Sequence, residues 1–272
     1  MIFVLCYTIN IRYMIDYLLS ILKKIKFQLI LITETFDIEF NKDDTYIFVQ
    51  IIEPKFLQKL DDTYKNIYLI NTEQLSVQDR REKINSRPSF INMIDYLDTN
   101  LKYYNSNFNT YLLPYQINHD EIYNLSKTED ICIIKDLSSN RKHIIDRLQI
   151  EKNIKVNIIE GWQKERDEIL FKHKILLNIS YFAENNCKVL ETFRCDRCIY
   201  NKMIVISDMK DDIESYYLKD HMLFVEYDKI PDIVQDVLQN YEYYYNKLFE
   251  NFDYQKIDDR LNTLSKRLIE KL

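Results

Sequence analysis

Glycine, alanine and tryptophan each occur once in 272 residues, as Gly161, Ala183 and Trp162, and proline occurs four times. With a single glycine, neither G-x-G-x-x-G nor a P-loop can be written, although Asn, Lys or Ser can stand where a phosphate loop would prefer glycine. Residues with GC-rich codons are scarce while Ile, Lys, Asn and Tyr abound, with 22 Tyr and 14 Phe, which points to an AT-rich genome, bacterial or of a large DNA virus. A basic excess is also missing: 37 Lys and Arg face 43 Asp and Glu, giving a net charge of −6 and a pI near 5.4. A surface built to grip nucleic acid needs the opposite balance, so nucleic acid is excluded as the expected partner. No uncharged run approaches the roughly 18 to 20 residues of a membrane span. The apolar start MIFVLCYTINI is followed by Arg12, Asp16, Lys23, Lys24 and Lys26 and lacks a small-residue cleavage site, so it reads as a buried strand leading into a helix.

Cysteine is sparse and odd in number: Cys6, Cys132, Cys187, Cys195 and Cys198. Scattered spacing without a secretory signal predicts reduced thiols in the cytoplasm. Cys195-x-x-Cys198 has no second Cys or His pair at ligand spacing and falls in an amphipathic helical stretch, which favours a buried structural role over zinc or redox chemistry.

Against these absences stand a 46% hydrophobic and a 29% charged fraction, enough for a folded chain. At about 150 residues per domain the length suits two lobes or one large one. Short apolar runs alternate with helical periods, the pattern of parallel strands joined by crossover helices. The first series has apolar runs at 2–7, 29–32, 47–52, 67–70 and 111–113, with a first helix over 11–27. Pro114 and residues 118–120 mark a break, and a second series has runs at 131–134, 156–159, 175–179, 203–206 and 222–225. Helical stretches lie between them at 140–148, 164–171, 188–200 and 211–218. Two such series predict two Rossmann-like lobes facing each other across a cleft, with the seam near 114–128. From Pro231 a long amphipathic tract runs to Leu272, with an interruption near Asp253. Its cluster Tyr241, Tyr243, Tyr244 and Tyr245 is too aromatic to be solvated on every side, so the tail is expected to pack back on the lobes. An amphipathic tail of this kind equally suits a homodimer interface.

In α/β sheets ligands bind beyond the carboxyl ends of the strands, so the segments after each strand are the places to look. The first, 136–142, leads into a helix whose amides, with Ser138 or Ser139 as cap and Arg141 and Lys142 nearby, suit a phosphate; helix capping alone would use the serines in the same way. The second pairs Gly161 with Trp162 after a strand, either as a tight turn with a core plug or as a flat face for a ligand. In the third, Asn178, Ser180 and Tyr181 close a strand, Glu191 and Arg194 share one face of the next helix, and Asn201 precedes the following strand. A carboxylate near a helix start can accept bonds from a ribose diol; on an isolated helix the same pair would be a solvated ion pair.

The third segment, KILLNISYFAENNCKVLETFRCDRCIYNKMIVISD at 174–208, resembles the donor-binding lobe of two-lobed GT-B glycosyltransferases. The likeness is to capsule-type and giant-virus relatives that read LNIHYYE, then LE-x-x-R, then N-K/G-x-x-VISE. LINTEQL at 69–75, IDYLDTN at 94–100 and YLLPYQI at 111–117 resemble the same group's first lobe. The resemblance covers roughly residues 65–228.

It implies an α/β chain of two facing Rossmann-like lobes: an acceptor-side lobe at 1–118, a nucleotide-sugar lobe at 119–230 and a helical tail at 231–272. The implied activity is transfer of a sugar from a nucleotide-sugar donor to a glycan or protein acceptor in glycan biosynthesis. The alternative is a catalytically inactive GT-B-like binding or assembly protein. Glu191 matches the glutamate expected on the donor ribose, and Arg194, Asn178 and Asn201 match positions lining the donor pocket. Ser180 stands where the relatives carry His, and Asp208 where they carry Glu. The other large glycosyltransferase fold holds its metal with Asp-x-Asp, which is absent from this sequence, so neither metal nor other cofactor is expected. The diphosphate leaving group would then be stabilised by amides and by Arg141 and Lys142. An inverting transfer needs a base from the first lobe, for which Glu73, directly after a strand, is the candidate, with His119 a second.

Overall fold

In a computed structural model, which describes residues 1–6, 26–32, 37–161, 163–181 and 189–272, the chain divides into two α/β units. The first comprises Met1–Gln116 together with Ile257–Leu272, and the second Ile117–Lys256.

The first unit is built on a six-stranded sheet in the order β2-β1-β3-β4-β5-β6, with every pair parallel. Its strands are β1 (Ile2–Cys6), β2 (Phe27–Leu31), β3 (Thr45–Val49), β4 (Ile67–Asn71), β5 (Asn92–Asp95) and β6 (Thr110–Leu112). Helices covering both faces of a parallel sheet demand apolar side chains on both faces, which is why β4 reads IYLIN and is buried at every position. Tyr46, Phe48, Phe56, Leu69 and Met93 centre the core on one face, with Phe40 edge-on to Tyr46 and Phe56. Two short helices, α1 (Pro54–Leu57) and α2 (Gln78–Asn85), follow β3 and β4.

The second unit has a five-stranded parallel sheet in the order β11-β10-β9-β7-β8. Its strands are β7 (Glu129–Ile134), β8 (Asn157–Ile159), β9 (His173–Asn178), β10 (Ile204–Asp208) and β11 (Leu223–Val225). The helices are α3 (Ser139–Lys152), α4 (Gln163–Leu170), α5 (Thr192–Tyr200), α6 (Ile230–Gln239) and α7 (Tyr241–Phe249). The last helix, α8 (Tyr254–Ile269), enters the first unit from residue 257 onward. There Leu261 is buried, Ser265 accepts a hydrogen bond from Gln116 Nε2 at 3.2 Å, and Arg267 lies over the Tyr111 ring.

Several expected elements take other forms. The predicted first helix lies mostly outside the described residues, and its last residue, Phe27, opens β2. The helix predicted over 188–200 begins only at Thr192. Residues 211–218 form no α-helix: 3-10 turns occupy Ile213–Ser215 and Lys219–His221. The reason is tertiary, because Tyr216 Oη donates to Asp196 Oδ1 at 2.5 Å and Tyr217 Oη to Asp196 Oδ2, drawing both rings under α5. The C-terminal tract is three helices rather than one interrupted near Asp253, with an additional break at Asn240. Among the described residues no helix is long and apolar enough to cross a membrane.

Candidate functional site

In the second unit β7 is flanked by β8 on one side and β9 on the other, so the chain runs outward from β7 to β8 and then crosses back over β7 to β9. The carboxyl ends of β7 and β9 therefore border a topological switch point, the place where open α/β sheets leave room for a ligand.

The chain turns sharply after β7. Asp136 adopts φ +85°, in the left-handed region costly for a residue with a side chain, and the Ser138 amide donates back to the Asp136 carbonyl at 3.1 Å. Ser138 is the N-cap of α3, its Oγ accepting from the Arg141 amide at 3.4 Å. Ser139 and Asn140 occupy the first helical positions, where helix geometry provides no acceptor for their amides. The start of α3 thus presents amides and the positive end of its dipole towards the switch point.

Arg141 locks this corner. The residue is 5% exposed, its guanidinium donating from Nε to the Ile179 carbonyl at 2.8 Å and from Nη1 to the Asp136 carbonyl at 2.6 Å. Asn140 Nδ2 adds a bond to the Ser180 carbonyl at 3.0 Å, and Tyr227 Oη donates to the Asn140 carbonyl at 2.7 Å. Burial first, then the neighbouring Arg194 cation, pushes the Arg141 pKa down to about 10, so the group stays charged at neutral pH.

The end of β9 is held from β10. Asn178 Nδ2 donates to Ser207 Oγ at 3.1 Å, Ser207 Oγ returns a bond to the Asn178 carbonyl at 3.0 Å, and Arg194 Nη1 reaches Asn178 Oδ1 at 3.3 Å. The Ser180 amide donates to Asp208 Oδ1 at 3.0 Å. Lys210 completes the group: its side chain is 2% exposed, with Nζ 2.7 Å from Asp208 Oδ1 and donating to Ser180 Oγ. Glu191 caps the start of α5 through its backbone, and its charge bears on Arg141.

The structure therefore brings Ser138, Ser139, Arg141, Asn178, Ser180, Glu191 and Arg194 to one edge of the second unit. Lys142 is exposed on α3. Gly161 follows β8 with φ +93°, a conformation that suits glycine, while Trp162 lies outside the described residues. Asn201 is placed apart: at the far end of α5, ahead of β10, it accepts from the Tyr123 amide at 2.9 Å and donates to the carbonyls of Glu121 and Arg197. That is a brace at the amino end of the sheet, which corrects its assignment to the donor pocket. Cys195 and Cys198 are fully buried, with both thiols pushed up by burial, Cys198 to about 12, as structural cysteines should be. The sequence reading missed Lys210, Asn140 and Tyr227; Lys210, two residues beyond the VISD strand, had no motif to mark it.

In the first unit Glu73 follows β4. Arg80 Nη1 lies 2.8 Å from Glu73 Oε2, and Gln50 Nε2 donates to Oε1 at 3.3 Å. Its carbonyl accepts from Asn71 Nδ2 at 2.7 Å and Asn100 Nδ2 at 2.9 Å. The same strand ends hold Asp95, fully buried, with Asn71 Nδ2 at 2.8 Å, the Leu97 amide at 2.8 Å and Tyr104 Oη at 2.6 Å donating to it. His119 lies in the second unit, its ring 6.2 Å from that of Tyr254.

No known protein-family profile matches the chain. It is 29% identical over 271 residues to the uncharacterized protein L140 of Acanthamoeba polyphaga mimivirus, covering 94% of this chain and 87% of that one, so the similarity to giant-virus proteins extends over nearly its whole length. Among solved structures it is similar to Anabaena Alr3699/HepE in complex with UDP and glucose, with TM-score 0.62 and 9% identity over 99% of this chain and 98% of that one. An α1,3-fucosyltransferase gives TM-score 0.54 and 12% identity over 98% and 90% of the two chains. The chain has the fold of these GT-B glycosyltransferases, two parallel-sheet α/β lobes with C-terminal helices.

Proposed function

We propose that this chain, with its GT-B fold, is a nucleotide-sugar-dependent glycosyltransferase whose second unit binds the donor and whose acceptor is a glycan or a protein. The observation that carries the reading is the charged, buried Arg141 beside the open amides of α3 at the switch point between β7 and β9. Fixed amides and a preorganised cation stabilise a departing diphosphate without reorganising during the reaction, the way electrostatic catalysis is built. In this reading the diphosphate rests on the amides of Ser139 and Asn140. Arg141 supplies positive field from behind them, since Nε and Nη1 are held by carbonyls, and the exposed Lys142 supplies a mobile charge. Glu191 accepts the ribose hydroxyls, and Arg194, aligned by Asn178, completes the wall. Glu73 is the base for the acceptor hydroxyl, with Arg80 keeping its carboxylate in place. The leaving group needs no metal in this scheme.

HepE, solved with UDP and glucose, supports a uridine nucleotide as the first donor to try. Thermal-shift titration with UDP, GDP and their sugar conjugates, followed by an assay of nucleotide release with acceptor glycans, tests the proposal. Stabilisation by none of them would sink it.

A second reading, a GT-B-like binding protein without turnover, is favoured by Ser180. This serine stands where the GT-B motif that the sequence resembles has His, and both its amide and its hydroxyl are engaged by Asp208 and Lys210. Turnover of any nucleotide-sugar by the purified protein would end it.

A further inference from the structure

At the amino ends of β7, β9 and β10, the opposite edge of the second unit from Arg141, lies a cavity of about 660 Å³. That volume falls within the roughly 300 to 1,000 Å³ of small-molecule sites. Tyr241, Tyr245 and Tyr254 line it, with Lys127, Lys202 and Glu242. Flat aromatic walls suit the C–H faces of a sugar ring, and the polar handles of tyrosine suit its hydroxyls.

Two features of this cavity are left unanswered by the protein itself. The Tyr241 hydroxyl is buried and has no hydrogen-bond partner, a costly state that a ligand hydroxyl would relieve. Lys127 is a half-buried ammonium whose hydrogen bonds go to two neutral groups, the Phe171 carbonyl at 2.7 Å and the Asn201 carbonyl at 2.9 Å. An ammonium has three donors, so one N–H remains. Burial pushes the Lys127 pKa down to about 8, and at neutral pH most of the charge persists. Lys174, also on the wall, is matched by Asp130 at 2.7 Å, which leaves Lys127 and Lys202 against the single carboxylate of Glu242.

We propose that this cavity is a second saccharide site, selective for an acidic sugar whose carboxylate meets Lys127 and Lys202 while its ring lies against Tyr241 and Tyr245. A bare inorganic anion would leave the aromatic walls unused, and a neutral sugar would leave the ammonium groups unmatched.

Calorimetric titration of the full chain with digalacturonate, with the neutral disaccharide galactobiose and with sodium phosphate tests the assignment. The expected result is binding of digalacturonate at least about fivefold tighter than of either other probe. Lys202→Gln, on the cavity rim, should abolish that preference, and Tyr241→Phe should weaken digalacturonate about three- to tenfold. Both variants should bind UDP as the parent does, which separates this site from the one beside Arg141. Equal binding of digalacturonate and galactobiose, binding of neither, phosphate binding as tightly as digalacturonate, or undiminished binding by both variants would each overturn the proposal.

Discussion

Arg141 Nε donates to the Ile179 carbonyl at 2.8 Å, and this bond ties the start of α3 to the end of β9 across the switch point. The arginine thus positions the helix amides that are proposed to meet the diphosphate, as well as adding its own charge. A lysine retains the charge but has no planar fork with which to hold the carbonyls of Ile179 and Asp136 together. Arg141→Lys should lose about 2 to 4 kcal/mol of stability, the cost of leaving buried carbonyls short of donors. Nucleotide affinity should fall at least tenfold. Urea unfolding and UDP titration of the folded variant measure both, and a variant equal to the parent in each would refute the positioning role.

Lys210 and Asp208 form a pair in which the ammonium is 2% and the carboxylate 12% exposed. Removing one partner strands the other. Lys210→Met should destabilise by about 3 to 5 kcal/mol, and adding Asp208→Asn should recover a large part of that loss, because the double variant carries no uncompensated charge. If the two losses simply add, the pair is not coupled as its geometry requires.

Asp196 gives the second unit a signed pH dependence. Burial outweighs the hydrogen bonds from Tyr216 and Tyr217 and raises its pKa from 3.8 to about 7. Between those values the folded state holds a proton that the unfolded state has released. The stabilisation from this group is therefore fully present below about pH 4 and is lost as pH rises through 7, at up to about 1.4 kcal/mol per pH unit within the window. Asp196→Asn cannot ionise, so the difference in unfolding free energy between parent and variant, from urea denaturation, should change by about 3 kcal/mol between pH 4.5 and pH 8, in favour of the variant at the higher pH. A constant difference would show that the carboxyl is ionised throughout.

The apolar runs made the two-sheet architecture legible because strands buried on both faces must be apolar throughout. β5 escaped that test: its NMID sequence buries Asn92 and Asp95, whose polar atoms are satisfied by the Ile67 carbonyl, by Asn71 and by Tyr104. No local periodicity announces such partners. The turns at 213–221 were misread for a related reason, since Tyr216 and Tyr217 follow Asp196 on α5 rather than their own neighbours. The helix cap at Ser138 was readable from the sequence, and the structure places Arg141 and Arg194 beside the same strand ends. Asn201 was misplaced because its position in a motif says nothing of which end of α5 it faces. Lys210 was invisible because an isolated lysine in sequence is almost always a solvated one.

Glu191 separates a donor site from an ordinary helix surface with one substitution. It stands at the N-cap of α5, where its backbone carbonyl accepts from the Arg194 and Cys195 amides, and the charge of its carboxylate bears on Arg141. If that carboxylate accepts both hydroxyls of a ribose, replacing one oxygen by an amide removes a charge-assisted acceptor and turns a donor towards the diol. Glu191→Gln should then weaken nucleotide binding by about 1.5 to 3 kcal/mol, roughly ten- to a hundredfold. Stability should change by no more than about 1 kcal/mol, the scale of a partly exposed charge at a helix start. A solvated glutamate would give the same small stability change but unaltered affinity, so binding is the discriminating measurement. Calorimetric titration of both proteins with the tightest-binding nucleotide decides between them: equal dissociation constants would remove Glu191 from the ribose, and a lost melting transition would make it a structural residue instead.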